Sequence, residues 1–392
     1  MSSPAPELVG TSGGLDFGFD EDQLAVRELA REFAENEIAP GVLERDAEGR
    51  FPTEVLEQAA ELGFCGMVVP EEWGGSGLDP ISYCLVLEEI ARVCPSTAVT
   101  LSVTNSVCAQ PIHRFGNDDQ RERFLRRLAS GECLGGFMLT EPGSGSDAKA
   151  MVSTAKRDGD DWILDGTKAW VTNAGAAEVY VVMARSGEGP KDITSFIVEA
   201  SAPGLSIARY EDKMGLRASK TAMITLDGVR VPDDQRLGEV GQGMKVALGS
   251  LDRGRLGISA QAVGMAEGAL EASASYAKER KAFGRPIGDY QAIQWMLADM
   301  RLRQEASRVL LHAAAADSAA GRLAPERASM AKLTCTENAK WICDQAVQVH
   351  GGNGYSREYL VERMHRDVRV TTIYEGSSQI QQLVIGRSLL RD

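Results

Sequence analysis

One carboxylate near the end of the chain lies between an aromatic residue and a glycine. It is Glu375 in the segment 372–381, with Tyr374 before it and Gly376 after it. Because glycine permits other groups to approach the backbone closely, this spacing predicts that Glu375 lies at a turn ahead of a helix. Taken alone, the plainer interpretation is a solvated glutamate before a helix, and the remaining motifs of the chain decide between the two.

A second motif is a glycine- and serine-rich turn that follows an apolar run. The segment 137–147, with the residue after it, contains Gly143-x-Gly145-x-x-Ala148, a formal match to a dinucleotide-binding fingerprint. The match carries little weight, because the strand–helix context with a second parallel strand is missing. What remains is a strand that ends in a turn with exposed N–H groups and hydroxyls. Such a turn suits a polar heterocycle or a phosphate-bearing arm, and an unliganded polar hairpin is the alternative.

A strand-like run at 168–173 carries an indole and, two residues later, a threonine. Side chains alternate along a strand, so Trp170 and Thr172 are predicted to point to the same face. A flat ring system on that face could stack on the indole and receive a hydrogen bond from Thr172. The more common alternative is a tryptophan that fills a seam between domains.

Three further motifs lie on predicted helices. Asp252 and Arg255 are three residues apart and share a helix face, which alone indicates an ordinary ion pair. The segment 280–284 ends one helix, and 348–355 ends another with the run Gly-Gly-x-Gly. Helix capping explains such a run, which would equally permit close backbone approach to a pyrophosphate. His350 has no partner at metal-ligand spacing, and no metal site is predicted.

The predicted elements run from helical to β and back to helical. Apolar residues at helical spacing fill the first third of the chain, and long helices at 246–280, 290–320 and 325–350 fill the last part. Between them lie short β-like runs at 162–164, 169–172, 179–184, 195–198, 205–207 and 222–231. The turn dipeptides among them are at 158–159, 165–166, 203–204 and 227–228.

We therefore predict a multidomain α+β protein. It has a disordered tail at 1–19, an N-terminal α-helical domain at 20–133 and a middle antiparallel β-sandwich or barrel domain at 134–235. A C-terminal helical bundle at 236–392 completes the chain. No strand–helix alternation is found, which argues against a doubly wound sheet.

The composition is that of an acidic globular protein. The 392 residues carry a formal net charge of −14, which argues against nucleic acid as the main ligand because phosphate binding needs a basic surface. No apolar run approaches the roughly 18 residues that a membrane span requires. The seven cysteines form no C-x-x-C pair, and the N-terminus lacks the features of a secretory signal or a mitochondrial presequence. A reduced, cytoplasmic location is predicted.

Together and in this order, the motifs resemble the acyl-CoA dehydrogenase family from about residue 20 to the C-terminus. The likeness is greatest to short-chain and short branched-chain members, through the segments 102–106 and 251–258. The resemblance implies a helical domain, a middle β domain and a C-terminal four-helix bundle. It also implies FAD as cofactor, an acyl-CoA substrate, electron-transfer flavoprotein as electron acceptor, and a homotetramer built as a dimer of dimers.

The resemblance also implies roles for individual residues. Glu375 matches the catalytic base. The implied substrate contacts are Ser146, Asp252, Arg255, Tyr374 and Gly376. The implied FAD contacts are Phe137, Leu139, Thr140, Gly145, Ser146, Trp170, Val171, Thr172, Arg280, Phe283, Gln348, Gly351, Gly352, Ser377 and Gln379. In the family, the contacts from Arg280 to Gly352 come largely from the neighbouring subunit.

Two positions refine the resemblance. Some relatives place their base on the long helix where this chain has Gly254, and glycine cannot serve as a base. The presence of Glu375 at the alternative location agrees with that. Ala282 stands where the family often has threonine, which removes one potential hydrogen bond to FAD.

The implied chemistry accounts for these residue types. Removing two hydrogens from adjacent carbons of a thioester needs a base at the α carbon and a hydride acceptor at the β carbon, here Glu375 and flavin N5. A flavin ribityl hydroxyl and the Glu375 backbone N–H are expected to stabilise the enolate, and burial is expected to raise the pKa of Glu375. The predicted function is FAD-dependent α,β-dehydrogenation of a short, straight or branched, acyl-CoA to the trans-2-enoyl-CoA. The acyl end is expected against the helix at 101–105 and beside Tyr374.

Other functions stay open at this point. The chain could be a relative that returns electrons to oxygen, or one that acts on a specialised biosynthetic acyl thioester. It could also be a helical assembly protein that kept the scaffold and lost the chemistry. The presence of Glu375, Trp170, Thr172 and Arg280 argues against that last alternative.

Overall fold

The chain folds as helices, then a β-sheet, then helices, which confirms the predicted fold class. The computed structural model describes residues 18–189 and 192–390. The predicted tail at 1–19 therefore lies outside the described residues, except for its last two. Within the described chain, no helix is long and apolar enough to cross a membrane. All seven cysteines are free and buried.

The N-terminal region consists of short helices joined by tight turns. They are α1 (Glu21–Phe33), α2 (Val42–Glu48), α3 (Thr53–Glu61), α4 (Pro80–Val93), α5 (Pro95–Val103), α6 (Gln110–Phe115), α7 (Asp118–Gln120) and α8 (Arg126–Ser130). Single π-helical turns continue α1, α5 and α7. Asp20 and Gln23 form a reciprocal capping box at the start of α1, and Asp79 accepts the first free N–H groups of α4. These caps account for where the two helices begin.

The middle region of the described chain is one eight-stranded sheet. Its strands are β1 (Leu134–Met138), β2 (Thr154–Asp158), β3 (Asp161–Thr172), β4 (Ala177–Arg185), β5 (Ile193–Glu199), β6 (Leu205–Tyr210), β7 (Thr221–Pro232) and β8 (Arg236–Leu237). They lie in the order β6-β7-β3-β2-β4-β5-β8, and β1 pairs with β4. The pairing is antiparallel, as predicted, except that β1 and the first residue of β2 pair in parallel with β4.

Both faces of the sheet are covered. Alternate residues of β4 point to opposite sides, so that Val181 packs into a core shared with α6–α8, while Val182 packs into a core formed by the strands themselves. One face of the sheet therefore packs against helices, and the other face packs against residues of the same sheet.

Two predicted turns are irregularities inside strands. The Asp-Gly pair at 165–166 is expected to separate two strands, but both belong to β3, whose register against β7 shifts between Leu164 and Gly166. Between these pairs β7 contains one residue more than β3, so the extra residue of this β-bulge lies on β7, opposite Asp165. Gly166, which flanks the bulge on β3, has a φ of +146°. The pair at 227–228 likewise lies inside β7. An Asp-Gly pair is compatible with a turn or a bulge, and its spacing does not distinguish them.

The C-terminal region is built on three long helices. They are α9 (Gly243–Glu279), α10 (Gln291–Ala319) and α11 (Pro325–His350), followed by α12 (Leu360–Val368) and α13 (Ser378–Leu389). A two-stranded ribbon of β9 (Lys281–Ala282) and β10 (Arg285–Pro286) follows α9. The bounds of α11 coincide with the prediction. Strand β2 and helix α12 have no counterpart among the predicted elements. One hydrophobic core joins α1–α5 to α9–α12, so the two helical regions pack together although the sheet separates them in sequence.

Helix α9 approaches α4 at backbone distance because glycines line the contact. A Cβ on Gly264 would lie 2.2 Å from the carbonyl oxygen of Glu88, and one on Gly268 would lie 2.3 Å from that of Arg92. These atoms belong to a helix backbone and cannot rotate away. The same helix continues toward its N-terminus with Gly257 and Gly254, which lie at the site described below.

A buried aspartate joins the three regions just before the Glu375 turn. Asp367 of α12 is 1% exposed and accepts the N–H of Leu216 at 2.5 Å. Leu216 follows the sheet strand β6 and adopts a left-handed φ of +48°. The neighbouring Arg366 donates to the Asp46 carboxylate of α2 at 2.6 Å. The end of the chain is thereby anchored to both other regions.

The glycine contact generates a stability prediction. Gly264→Ala is expected to destabilise the protein by about 1–3 kcal/mol, because its Cβ would collide with the α4 backbone. Gly249→Ala, on the same helix, is the matched control: its nearest neighbours lie at 3.9 and 4.0 Å, and alanine favours helix. Thermal unfolding should show a lower midpoint for the first variant and an equal or higher one for the second. Equal midpoints in both variants would contradict the packing described.

Candidate active site

Glu375 lies in a strained turn between a 3₁₀ turn at Arg369–Thr372 and helix α13. Its φ is +50°, and that of Gly376 is +92°. A left-handed glutamate is unfavourable and needs support from its surroundings. Gln381 donates to the carbonyl oxygens of Glu375 and Gly376 at 3.2 and 2.9 Å, and Lys332 of α11 donates to that of Gly376 at 2.8 Å. The turn is therefore held from below by two buried side chains.

The Glu375 carboxylate occupies the space that a side chain at position 254 would fill. A Cβ at that position would be 2.1 Å from Oε2 and 3.0 Å from Oε1. Oε2 is buried and has no hydrogen-bond partner among the described residues. Helix α9 thus leaves the space that the carboxylate occupies, and one of its oxygens remains available to another molecule.

Burial and the charges around Glu375 set its protonation state. Burial raises the pKa of Glu375 to about 7, and the positive charges of Lys332 and Arg255 partly oppose that rise. Burial lowers the pKa of Lys332 to about 8, against the opposing influence of Glu375. Burial also lowers the pKa of Arg255. The carboxylate can therefore change protonation state near neutral pH, as expected of a general base.

Arg255 is an internal charge of the site. It is 5% exposed, and its guanidinium donates to Asp252 at 2.7 Å and to Ser329 of α11 at 3.3 Å. The sequence predicts the Asp252–Arg255 pair, and the structure forms it. Asp252 is half-buried, whereas Arg255 is nearly covered, so Arg255 acts on the site chiefly through its charge.

Two hydroxyl contacts close the space beyond the carboxylate. The Tyr374 hydroxyl donates to Gln261 of α9, and the hydroxyls of Tyr83 and Ser102 lie 3.1 Å apart. A Cβ on Gly257 would meet the Ser102 and Tyr83 oxygens at 2.4 and 2.6 Å. The space between α4, α5 and α9 is therefore filled by short polar contacts rather than left open.

The helix expected to face the acyl group packs against Tyr374, but it does so through other residues than those at the ends of the predicted segment. Leu101 packs into the core of the helical regions, and the Asn105 amide donates to the Phe64 carbonyl oxygen. Val99 and Val103 instead form a small apolar cluster with which Tyr374 packs. Of the predicted range 101–105, Val103 therefore lies beside Tyr374, whereas helical rotation turns the two end residues toward other partners.

The glycine- and serine-rich turn follows β1 and is fixed by a buried ion pair. Lys168 of β3 donates to Glu141 at 2.7 Å, and Glu141 accepts the N–H groups of Val152 and Ser153. Of the predicted contacts in this turn, Phe137 and Thr140 are half-buried and Gly145 and Ser146 are exposed, whereas Leu139 is buried. The turn presents an open polar surface on a rigid base.

Trp170 projects from the sheet at a bulge. Its φ is +58°, the pairing of β3 with β7 shifts register between Lys168 and Val171, and the indole is 61% exposed. The simple alternation expected for Trp170 and Thr172 therefore does not hold across this bulge. Thr172 is half-buried, and the Val171 side chain belongs to the β core. An exposed indole on a constrained backbone is a platform for a flat ring.

A second group of predicted residues lies at the far end of the helical bundle. Tyr276 stacks on His350 with ring centroids 4.2 Å apart, so the C-terminal ends of α9 and α11 adjoin. The exposed residues at these ends are Arg280, Phe283, Gln348, Gly351 and Gly352. At 1.5 Å per residue, Arg280 lies about 39 Å along α9 from Gly254. This group cannot meet a ligand at Glu375 of the same chain unless that ligand spans the bundle.

The residues present fit a bound FAD. Trp170 offers an uncovered ring, and a Cβ on Gly143, Gly145, Gly351 or Gly352 would meet nothing within 4 Å. Phe283 is 96% exposed, with a φ of +51°. An exposed ring suits an isoalloxazine, and an open polar turn suits a pyrophosphate. The open backbone at Gly351 and Gly352, here called the glycine corner, suits an adenosine. Within the described residues, no group of three or more His, Cys, Asp or Glu side chains is arranged to hold a metal ion.

Lys332 and Gln381 are site residues that the sequence motifs do not reveal. Lys332 lies on the buried stripe of α11 that includes Ala328, Ala331 and Cys335. A lysine within an apolar helical stripe is an unusual signal, since an unpaired charge is costly to bury. That signal identifies the residue as exceptional, although it does not indicate what the ammonium contacts.

Three family models match the chain in succession. The acyl-CoA dehydrogenase N-terminal, middle and C-terminal domains match residues 20–132, 136–229 and 241–390. The chain belongs to the acyl-CoA dehydrogenase family. The predicted resemblance and the prediction of an enzyme of this class are confirmed.

Individual relatives are similar over nearly their whole length. The mitochondrial short-chain specific acyl-CoA dehydrogenase of Bos taurus is 45% identical over 373 residues, which cover 95% of this chain and 90% of the relative. A caffeyl-CoA reductase-Etf complex subunit of Acetobacterium woodii is 44% identical over 376 residues, covering 95% and 99%.

Solved structures agree in fold. Butyryl-CoA dehydrogenase from Megasphaera elsdenii superposes with a TM-score of 0.94 at 41% identity, covering 96% of this chain and 100% of that one. A glutaryl-CoA dehydrogenase from Mycobacterium smegmatis in complex with FADH2 gives a TM-score of 0.92 at 32% identity, with 96% of each chain covered.

The raised pKa of Glu375 generates a test of its burial. The folded protein binds more protons than the unfolded chain between the ordinary pKa of 4.5 and about 7, so stability falls as pH rises through that window. Glutamine cannot ionise. Glu375→Gln is therefore expected to unfold a few degrees above the wild type at about pH 8, and close to it at about pH 4.

Glu337→Gln is the matched control for this measurement. Hydrogen bonds from Lys340 and Ser378 outweigh burial and lower the pKa of Glu337, so its ionised form is favoured in the folded state. Its glutamine variant is expected to unfold at or below the wild-type midpoint at about pH 8. A difference between Glu375→Gln and the wild type that does not change with pH would contradict the assignment of a buried, neutral-titrating carboxyl.

Proposed function

We propose that the protein catalyses the FAD-dependent α,β-dehydrogenation of a short acyl-CoA, straight or branched, to the trans-2-enoyl-CoA. The observation that carries this proposal is the half-buried Glu375 carboxylate over Gly254, whose buried oxygen Oε2 has no hydrogen-bond partner among the described residues. Membership in the acyl-CoA dehydrogenase family supports the reaction class. The short-chain relatives support the size of the acyl group.

In the proposed reaction, Glu375 removes the proton from the carbon next to the thioester carbonyl. Its pKa of about 7 makes it a stronger base than an ordinary carboxylate, and a bound substrate would exclude more water from the site. The space over Gly254 lets the carboxylate lie beside α9 without a clash. A bound FAD would supply the acceptor for the hydride that leaves the β carbon.

The backbone of the same turn would stabilise the enolate. The N–H of Glu375 has no hydrogen-bond acceptor among the described residues. A thioester carbonyl placed against this N–H would receive a hydrogen bond as its negative charge develops. Gly376 follows at once, and its lack of a side chain leaves room for the thioester.

The remaining proposed contacts fall into two groups. On the chain that holds Glu375, the FAD contacts would be Phe137, Leu139, Thr140, Gly145, Ser146, Trp170, Val171, Thr172, Ser377 and Gln379, with Leu139 and Val171 acting through their backbone. The CoA arm would meet Ser146 and Asp252. The residues at the ends of α9 and α11 would contact FAD from a neighbouring subunit, since they lie too far from Glu375 in their own chain.

A homotetramer, built as a dimer of dimers, would cover apolar surface that the single chain exposes. Trp295, Leu302 and Val309 follow one another at seven-residue spacing on α10, and all three are exposed. That spacing places them on one helix face. Phe283 and Tyr355 add further exposed rings near the glycine corner. Contact between copies would bury these apolar groups, and it would bring the glycine corner of one copy to the Glu375 site of its neighbour.

Electron-transfer flavoprotein is the proposed electron acceptor, which the relative from an Etf complex supports. An oxidase would instead reduce oxygen rapidly when its reduced form meets air-saturated buffer. Slow oxygen uptake with product bound is expected here. The cytoplasmic location and a role in fatty acid or branched-chain amino acid breakdown remain parts of the proposal.

The role of Glu375 is tested by anaerobic bleaching of the flavin. Glu375→Gln is expected to keep bound FAD and to bleach with butyryl-CoA at least about 10²–10⁴-fold more slowly, because the glutamine amide cannot accept the proton. Glu337 is a nearby carboxylate that does not lie over Gly254. The Glu337→Gln protein should therefore bleach at close to the wild-type rate. A Glu375→Gln protein that retains FAD and bleaches like the wild type would exclude the proposed base.

The size of the acyl group is tested with a panel of thioesters. We expect the contacts of Tyr374 with Gln261 and of Tyr83 with Ser102 to limit the space for a long acyl chain. Butyryl-, hexanoyl-, isobutyryl-, 2-methylbutyryl- and isovaleryl-CoA are expected to bleach the flavin at clearly different rates, and palmitoyl-CoA at least about tenfold more slowly than the best of them. Equal rates with every thioester would refute the short-chain assignment.

A further inference from the structure

Lys332 is a charged side chain without solvent exposure, and it lies behind the turn that carries Glu375. Its relative exposure is 0%, and its ammonium donates to the Gly376 carbonyl oxygen at 2.8 Å. No carboxylate forms a salt bridge with it among the described residues, since the charged groups nearest to it act through space. A buried lysine without a direct ion pair is costly, so its presence needs a reason.

The Gly376 carbonyl oxygen does not need Lys332 for its hydrogen bonding. Gln381 of α13 donates to the same oxygen at 2.9 Å and to the Glu375 carbonyl oxygen at 3.2 Å. An uncharged side chain on α11 would therefore leave the carbonyl satisfied. What Lys332 adds is a second hydrogen bond that holds the turn, here called a clamp, from a different helix. It also adds a positive charge near the carboxylate.

We propose that Lys332 is a positioning residue for Glu375. It holds the left-handed Glu375–Gly376 turn from α11, while Gln381 holds it from α13. Its positive charge keeps the Glu375 carboxylate ionised at a position where burial would otherwise favour the protonated form. This inference rests on the proposed role of Glu375 as the base. Lys332 touches neither the thioester nor the cofactor, and it acts through the turn and through its charge.

The charges that face the carboxylate make the contribution of Lys332 measurable. From α9, Arg255 also favours the ionised form, and Asp252 partly compensates Arg255. From α4 and from the turn itself come the neutral phenols of Tyr83 and Tyr374, whose pKa values burial and Glu375 raise. Glu337 of α11 faces Lys332 and favours its charged form. Loss of the Lys332 charge leaves Arg255 as the remaining cation that acts on Glu375.

Three variants separate the clamp from the charge. Lys332→Gln keeps a hydrogen-bond donor and removes the charge. Lys332→Met removes both. Gln381→Met removes the other clamp and leaves every charge in place. Thermal unfolding and FAD content identify the variants that fold, and Lys332→Gln, which retains polarity at the buried position, carries the test if Lys332→Met does not fold.

The first measurement is the titration of the Glu375 carboxyl itself. Infrared difference spectra against Glu375→Gln isolate its acid band and need neither substrate nor turnover. Lys332→Gln and Lys332→Met are expected to raise the Glu375 pKa by about one unit, as loss of a close opposite charge does. Gln381→Met is expected to leave it within about 0.3 unit of the wild type, because no charge changes. An unshifted pKa in Lys332→Gln would overturn the electrostatic part of the inference.

The second measurement is the rate of flavin bleaching by butyryl-CoA as a function of pH. The rate rises as Glu375 loses its proton, and this rise is expected to move to higher pH by the same amount in both Lys332 variants. At high pH, Lys332→Gln is expected to exceed Lys332→Met about tenfold, because it still holds the turn. Equal plateaus for Lys332→Met and the wild type would overturn the positioning part.

The two measurements also distinguish failure of this inference from failure of the proposed function. A wild-type holoenzyme that no acyl-CoA bleaches would refute the proposed function, while the infrared titration would still report the influence of Lys332. A wild-type enzyme that bleaches normally, with Lys332 variants of unchanged pKa and rate, would refute the inference alone.

Discussion

The site depends on one close contact between a carboxylate and a helix. Glu375 lies 2.1 Å from where a side chain on Gly254 would begin, so the base and the glycine are complementary parts of one feature. Any side chain on α9 at this position would push the carboxylate away, and any relaxation of the turn would leave a gap over the glycine. The left-handed backbone, the two clamps and the buried charges all serve to keep the carboxylate in that place.

Helix α9 connects this contact to the rest of the molecule. It packs against α4 through Gly264 and Gly268, carries Gly254 and Arg255 at the site, and ends at the exposed corner that includes Arg280. A helix of 37 residues is about 55 Å long, so one element lies under the Glu375 carboxylate and also forms part of the distant surface proposed to contact the cofactor. Three of its glycines, Gly254, Gly264 and Gly268, lie where the carboxylate or the α4 backbone comes close, which accounts for residues that are otherwise unfavourable inside a helix.

Much of this arrangement could be predicted from the sequence, because its signals are local. Helix periodicity predicted α9, α10 and α11, and the aromatic–acid–glycine run predicted a turn at Glu375. The Asp252–Arg255 pair followed from helix geometry alone. The bulge at Gly166 could not be predicted, because an Asp-Gly pair has the same local chemistry in a turn and in a bulge. The left-handed Trp170 was missed for a related reason: alternation assumes a regular strand, and a bulge is a property of pairing with β7.

The part of the site that sequence reasoning missed is the part made by tertiary contact. Lys332 is 43 positions before Glu375, on a helix whose other buried residues are mostly apolar, and its partner is a backbone carbonyl that no motif encodes. The turn of Leu101 and Asn105 away from Tyr374 is likewise decided by how α5 and the turn after it pack against the core. Interactions with backbone atoms of distant segments leave no spacing pattern in the chain, so only the folded structure reveals them.

The arrangement of charge at the slot has a consequence for the timing of the proton. With Glu375 ionised and Lys332 protonated, two anions, Glu375 and Asp252, balance two cations, Lys332 and Arg255. When Glu375 takes a proton from the substrate in the proposed reaction, the negative charge passes to the thioester and the two cations remain in place to balance it. Once the hydride has passed to its acceptor and the uncharged enoyl group has formed, these four side chains would carry one positive charge in excess. In the proposed reaction, the bound product would cover the protonated base, so its proton is expected to leave only when the product does. Product departure and recovery of the base would then be one event.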